Sequence, residues 1–381
     1  MDRLSLKDIN QLPQDCPVEA EIFAQIAQRA TKSTRNNKPY LDVHFADAEA
    51  TLNVKVWEDK PWYRALMQVP ERSFVSLSGI WGKGNFGCEV NDLQVRLLNN
   101  EEQQILLLGT PELMHKQQAD WETIMQLVST MSDPRLRTIC QLFITKFEAR
   151  FRRAGAARAY HHARRGGLCE HIAGMMRATS GICEAYRDLN RDLILSGCLF
   201  HDCGKLWENC YGEADFTMPY TEAGELLGHI PLGIELVNSL WKESLSAPDA
   251  KGWITLDPPS SDVRMHLLHL IASHHGELAF GSPVTPKTPE AMALHYIDNL
   301  DAKIEMFRTA YQTGEMLADD IFQKKAPLLG NEVRPLASFI AIDIEDDTKP
   351  IEPIIDPIKP IEPIAHTPSI TPPATHPETL L

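Results

Sequence analysis

The sequence holds an adjacent pair, His201-Asp202, at the end of the apolar run Leu199-Phe200 and just before Cys203-Gly204-Lys205. Two such side chains on one turn of helix can hold a divalent cation only if further ligands converge from elsewhere. Candidates stand on both flanks: His171 upstream, then His229, the pair His274-His275 and Asp298 downstream. A single histidine beside an apolar face is ordinarily a hydrogen-bonded core residue. Five such segments in one domain, each beside an apolar helical run, point instead to a metal centre. Imidazole mixed with carboxylate suits borderline divalent cations such as manganese, iron, cobalt or zinc, and the lack of a thiolate cluster argues against a structural zinc site. Lys205 lies three residues after Asp202 on the same helical face, where its ammonium would meet a phosphate oxygen. Asp301 shares a helical face with Asp298, which suits it to orienting a ligand rather than binding the cation itself.

The order His, His-Asp, His, His-His, Asp resembles that of the HD superfamily of metal-dependent phosphohydrolases. The resemblance implies that His171, His201, Asp202 and Asp298 bind one metal. It also implies that His229 with His274 or His275 holds a second, Asp202 bridging the two. Two cations roughly 3.5–4 Å apart would clamp the attacking and leaving oxygens of a phosphoryl transfer and supply a hydroxide at neutral pH.

These ligands need a helical frame. Apolar spacing predicts helices over about 167–187, 190–204, 222–243, 262–275 and 288–312, so an all-α bundle over residues 166–312 would bring distant ligands to one core. The loop from Phe280 to Glu290, stiffened by Pro283, Pro286 and Pro289, is placed to form a rim of the site.

Residues 1–98 read differently. Leu41, Val43 and Phe45 alternate with polar residues, and Leu52, Val54 and Val56 repeat the device, so short strands are expected. Frequent turns over about a hundred residues suggest a small closed barrel. The passage Asn37 to Asp47 followed by Val54-Lys55-Val56-Trp57 resembles OB-folds that bind single-stranded nucleic acid. Such barrels stack bases on aromatics and hold phosphates with basic side chains. The stacking candidates are Tyr40, His44, Trp57, Trp81 and Phe86, with Lys38, Lys55, Arg29, Lys32, Arg35 and Lys83 for phosphates.

Residues 99–165 read as a helical connector. Thr110-Pro111 and Asp133-Pro134 each pair a capping residue with proline at the first helical position. Six arginines then fall within sixteen residues, Arg150, Arg152, Arg153, Arg158, Arg164 and Arg165, beside His161 and His162. Directly before the first ligand segment, Arg158, His161, His162, Arg164 and Arg165 form an expected guide for a polyanionic substrate. Residues 313–342 extend the bundle. In the tail, 343–381, Lys-Pro-Ile-Glu-Pro-Ile occurs twice and prolines continue to Pro377, a composition expected to be disordered and suited to docking a protein partner.

The net charge of −15 does not exclude nucleic acid, because binding depends on local basic surface. No run of 18 apolar residues occurs, so no membrane association is expected. Met1 to Lys7 lacks the apolar core of a signal peptide, which makes the cytoplasm the expected location. Eight cysteines without a CxxC pair read as reduced thiols.

Taken jointly, Gly166-Gly167-Leu168-Cys169-Glu170-His171, Phe200 to Lys205, Gly224 to Ile230, Ser273 to Gly276, Gly281-Ser282-Pro283 and Asp298 to Lys303 resemble the YhaM-type 3′-to-5′ exoribonucleases over about residues 4–310. Gly155 departs from the proline usual in that family, and Cys169 and Cys203 from its aliphatic residues; none of these removes a ligand. The fold implied is multidomain α+β, an OB-fold barrel followed by an all-α HD bundle and a proline-rich tail. The activity implied is metal-dependent hydrolysis of single-stranded RNA, and of single-stranded DNA, to nucleoside 5′-monophosphates, with manganese the first choice among metals. Two rival readings remain, an HD phosphohydrolase of small nucleotides or cyclic dinucleotides, and a non-catalytic nucleic-acid-binding protein.

Overall fold

The computed structural model describes residues 2–335, apart from 15, 85–86, 160, 314–315, 319–320 and 325–328. Phe86 and the proline-rich tail therefore lie outside the described residues. The N-terminal part is an antiparallel sheet of β2 (Val18–Ser33), β3 (Pro39–Ala46), β4 (Thr51–Trp57), β5 (Phe74–Gly84) and β6 (Gly87–Leu97), in the order β4-β3-β2-β5-β6, with β1 (Asp2–Leu4) parallel to β2. The sixteen-residue β2 serves two neighbours. Its first half pairs with β5 and its second with β3, and the register shifts between Ile26 and Gln28 where it passes from one to the other.

The alternation expected of β3 and β4 holds. Leu41, Val43, Phe45, Leu52, Val54 and Val56 are buried, together with Ile22, Ile26, Val75 and Leu77, and α1 (Leu6–Asn10) and α2 (Trp62–Gln68) contribute Leu6, Ile9, Trp62 and Leu66 to the same core. The closed barrel does not form. Strands β4 and β6 approach each other but share no backbone pairing, and α2 packs against both of them, so helix side chains rather than a hydrogen-bonded ladder cover the open side. Trp81, expected as a stacking candidate, belongs to this core at 0 % exposure and donates its indole N–H to the Ala20 carbonyl at 3.3 Å.

After α3 (Asn100–Leu108), helices α4 (Pro111–Ser129) and α5 (Pro134–Phe151) begin at the predicted caps. The Thr110 hydroxyl accepts from the Leu113 amide, and the Asp133 carboxylate from the amides of Arg135 and Leu136. Both helices share one continuous core with α6 (Gly167–Ala185), α7 (Arg191–Phe200), α10 (His229–Ser244), α11 (Ser260–Ser273) and α12 (Pro289–Thr313). The connector is thus a wall of the bundle rather than a spacer. A second cluster joins sheet and helices, with Phe74 against Phe216 at a ring separation of 6.1 Å.

Two predicted helices are broken. The span 190–204 ends as helix at Phe200, continues as turn, and resumes as the single turn α8 (Lys205–Glu208). The span 222–243 divides into α9 (Glu222–Leu227) and α10 at Gly228, whose φ of +72° lies in the region that disfavours residues with a Cβ. Glu208 Oε1 accepts from the His229 amide at 3.0 Å, satisfying an end that helix geometry leaves unpaired. Beyond α12, β7 (Met316–Ala318) and β8 (Ile321–Phe322) pair, and Leu329 and Val333 cover Met306 and Ala310. No helix among the described residues is long and apolar enough to cross a membrane.

Candidate metal centre

Five elements meet at one point. His171 comes from the second turn of α6, His201 and Asp202 from the turn after α7, His229 from the first residue of α10, His274 and His275 from the end of α11, and Asp298 from α12. Helix α7 can deliver its pair into the interior because every residue from Asp192 to Phe200 is buried. Gly204 is fixed by close approach: a Cβ there would stand 1.9 Å from the His229 carbonyl oxygen, so only glycine lets this turn press on the start of α10.

The imidazoles are held from behind. The Nδ1 atoms of His201, His274 and His275 donate to the carbonyls of Cys198 at 2.9 Å, Ile271 at 2.8 Å and Phe280 at 2.7 Å. His171 Nδ1 donates to Asp301 Oδ2 at 2.7 Å, and His229 Nδ1 faces Glu208 Oε1 at 3.3 Å. Each bond places the proton on Nδ1, which leaves the Nε2 lone pair directed inward.

Around Asp202 these inward atoms come close together. Its Oδ2 lies 3.3 Å from His201 Nε2, while its Oδ1 lies 3.4 Å from His229 Nε2 and 3.7 Å from His274 Nε2. Asp298 Oδ1 lies 3.2 Å from His171 Nε2. The side chains of His171, His201, Asp202 and His274 are almost wholly buried, yet the Nε2 atoms of His171, His201, His229 and His274 and the Oδ1 of Asp202 have no hydrogen-bond partner. Buried polar atoms left unpaired are destabilising. Four imidazole lone pairs and a carboxylate oxygen unsatisfied at one place fit a divalent cation of the borderline class.

The ligand atoms fall into two groups of suitable spacing, His171/His201/Asp202 on one side and His229/His274/His275 on the other. A third group, His162/His171/Asp301, is already joined by hydrogen bonds. The protonation states of His274 and Asp202 agree with ligation. Burial, followed by the nearby His201 and His275, holds His274 well below its ordinary value and so neutral. Burial alone would raise Asp202, but Lys205 and His201 keep its carboxyl well below the carboxylate range. His171 differs: burial would lower it, yet Asp298 and Asp301 push it up to about 10, so without a cation this ring carries the positive charge itself and would give up its Nε2 proton on ligation.

Asp301 joins two of these histidines. Its Oδ2 accepts from both His171 Nδ1 and His162 Nε2, at 2.7 and 2.9 Å. Asp301→Asn would keep the shape but lose the charge behind His171. It is expected to weaken metal binding by about 10–100-fold, and a calorimetric metal titration equal to wild type would show that Asp301 does not act through His171.

The expected substrate groups are distributed unevenly. Lys205 lines the same cavity as Asp202, His274, His275 and Asp298, of about 300 Å³, but its ammonium already donates to Asp202 Oδ2 at 2.6 Å and to the Ala156 carbonyl. His161 also lines this cavity, its ring 5.6 Å from that of His171 and its pKa lowered by burial to about 3. The arginine guide takes another form. Arg164 is committed to Glu170 and Glu305, and Arg165 to the carbonyls of Gly212, Glu213 and Asp215. His162 is buried against Asp301. Of those five residues only Arg158 is exposed, its guanidinium 4.9 Å from the Tyr220 ring centre. Internal carboxylates and carbonyls compete with solvent for these cations, a competition invisible to a count of charges.

On the sheet, Tyr40 and Trp57 are cross-strand partners with ring centres 5.3 Å apart, and Trp57 is 36 % exposed. Lys55 stands two pairs along β4 opposite Asp42, Lys38 lies exposed just before β3, and Lys32 pairs with Asp42. Arg29 is instead used at the end of α2, donating to the carbonyls of Leu66 and Val69. Glu208 and His295 gave no signal in the sequence. Glu208 becomes informative only once α8 meets the start of α10, and His295 only once a cavity exists for it to line, whereas Phe280 begins the loop expected at the rim and does line that cavity.

Residues 168–303 match the HD domain family. The chain is also similar to the 3′-5′ exoribonuclease YhaM of Geobacillus sp. (strain WCH70), 28 % identical over 295 residues that cover 77 % of this chain and 85 % of the relative. To the 3′-5′ exoribonuclease YhaM of Bacillus subtilis (strain 168) it is 30 % identical over 284 residues, covering 73 % and 82 %. With its histidines and carboxylates converging inside an HD domain, the chain belongs to the YhaM family and is a nuclease of the metal-dependent phosphodiesterase class.

Proposed function

We propose that this protein is a 3′-to-5′ exonuclease of single-stranded RNA, active also on single-stranded DNA, that releases nucleoside 5′-monophosphates. The observation that supports it most is the set of unpaired Nε2 atoms facing the Asp202 carboxylate. Under this reading His171, His201, Asp202 and Asp298 hold one cation, and Asp202, His229, His274 and His275 a second, manganese being the first candidate. When bound, such cations polarise the phosphodiester and lower the pKa of a water so that it can attack at neutral pH.

The chain's own residues do the rest. The Nδ1 hydrogen bonds fix each imidazole before substrate arrives, which removes reorganisation from the reaction. Lys205 stands beside Asp202 with its charge toward the cavity, where it can shift from the carboxylate to an incoming phosphate oxygen. His161 holds no charge near neutral pH and offers a polar wall without competing for the cations. The Tyr40–Trp57 pair provides a stacking face for bases upstream of the end, with Lys38 and Lys55 for their phosphates, and Arg158 is the exposed cation nearer the bundle.

A time course on 5′-labelled single-stranded RNA with added Mn²⁺ tests this. The expected result is a ladder that shortens from the 3′ end with release of nucleoside 5′-monophosphates. Intact RNA beside cleavage of small nucleotides would replace this reading.

A further inference from the structure

The cavity at the metal centre joins charged and polar groups, among them Asp202, Lys205, His275 and Asp298, to an apolar side formed by Phe280, Ala302 and Met306. Phe280 is 57 % exposed, although a phenyl ring in water forgoes the stabilisation that burying its apolar surface would bring.

The segment that carries it is tightly tied. The Phe280 and Ser282 amides donate to the Glu277 carbonyl at 3.1 and 3.3 Å, and the Gly281 amide donates to that of Leu278 at 3.1 Å. Gly281 closes the turn at a φ of +88°, where a Cβ would be strained. The Phe280 carbonyl accepts from His275 Nδ1 at 2.7 Å, so the backbone that carries the ring is tied to a residue facing the metal centre. A loop bound in this way keeps an exposed apolar face on the cavity that holds Asp202 and Lys205. The ligand chemistry that matches a flat apolar face beside phosphate-binding groups is a nucleobase, and any of the four bases has a π-face to offer.

We propose that Phe280 stacks on the base of the 3′-terminal nucleotide, so that the enzyme selects ends that carry a base without reading which base it is. This rests on the exonuclease reading above. The test compares kcat/KM for RNA strands ending in a normal nucleotide with strands ending in an abasic ribonucleotide, in wild type, Phe280→Ala and Phe280→Trp. Wild type is expected to favour the base-bearing end by about 10–100-fold. Phe280→Ala should bring the ratio to within about twofold of unity and Phe280→Trp should retain it, as stacking on an aromatic face requires. An undiminished ratio in Phe280→Ala, or no preference in wild type, would overturn the proposal while leaving the exonuclease intact. Wild-type protein that shortens neither strand would overturn both.

Discussion

Asp202→Ala is expected to empty the metal centre and to slow RNA shortening by at least about 10³-fold, because cation polarisation of a phosphoryl oxygen supplies several kcal/mol and each 1.36 kcal/mol is a factor of ten. The position explains the size of the effect. Among the described residues Asp202 is the one carboxylate whose two oxygens face opposite halves of the ligand set, Oδ2 toward His201 and Oδ1 toward His229 and His274. It also holds Lys205. Without it Asp298 is the remaining carboxylate, beside His171, and a divalent cation among His201, His229 and His274 loses the ligand that offsets its charge. Removing one histidine takes a single neutral donor and should do less. Elemental analysis after gel filtration, together with the rate on labelled RNA, checks this. A variant that retained its full metal and more than a tenth of the rate would show that Asp202 is not shared between the two groups.

The candidate ligand histidines were legible in the sequence because adjacency to apolar helical runs is a local property. Each sits where a helix enters the core or ends in it, and the pattern survives without knowledge of the fold. What was not legible depends on contacts between distant segments. Gly228 interrupts an apolar spacing that otherwise reads as one helix, and the break is stabilised by Glu208, which accepts from the His229 amide twenty-one residues away. The arginine cluster reads as a basic surface until Glu305, 141 residues from Arg164, is placed beside it. Trp81 has the composition of a stacking residue and the location of a core one. The barrel expectation failed for a related reason. Alternation specifies which face of a strand is buried, but whether the outer strands pair or are bridged by a helix depends on how α2 packs.

Glu170→Ala is expected to destabilise the protein by about 3–5 kcal/mol, the effect of breaking a buried ion pair and leaving its partner uncompensated. The Glu170 side chain is wholly buried and accepts from Arg164 Nε at 3.0 Å, from Arg164 Nη2 and from Lys116 Nζ, with His162 Nδ1 at 3.8 Å. Lys116 is half exposed and can turn to water or to Asp120, whereas Arg164 is largely enclosed and would keep only Glu305. A fall in Tm on the order of 5–15 °C would follow; a fall below about 2 °C would mean that the network is not closed in solution. The pH dependence has a definite sign. Burial alone would raise the Glu170 carboxyl, but His162, Arg164 and Lys116 hold it far below its ordinary value of 4.5. Its contribution is therefore complete above about pH 4.5 and is lost as the pH falls toward the lower, folded value. Glu170→Gln keeps the shape without the charge, so the gap in Tm between it and wild type should be constant near neutrality and narrow in acid. The same change reaches the metal centre by two routes. Glu170 precedes His171 on α6, and its neighbour His162 shares Asp301 with that histidine. Loss of metal affinity in Glu170→Ala should accordingly be partly recovered in Glu170→Gln, which leaves His162 and Asp301 where they are.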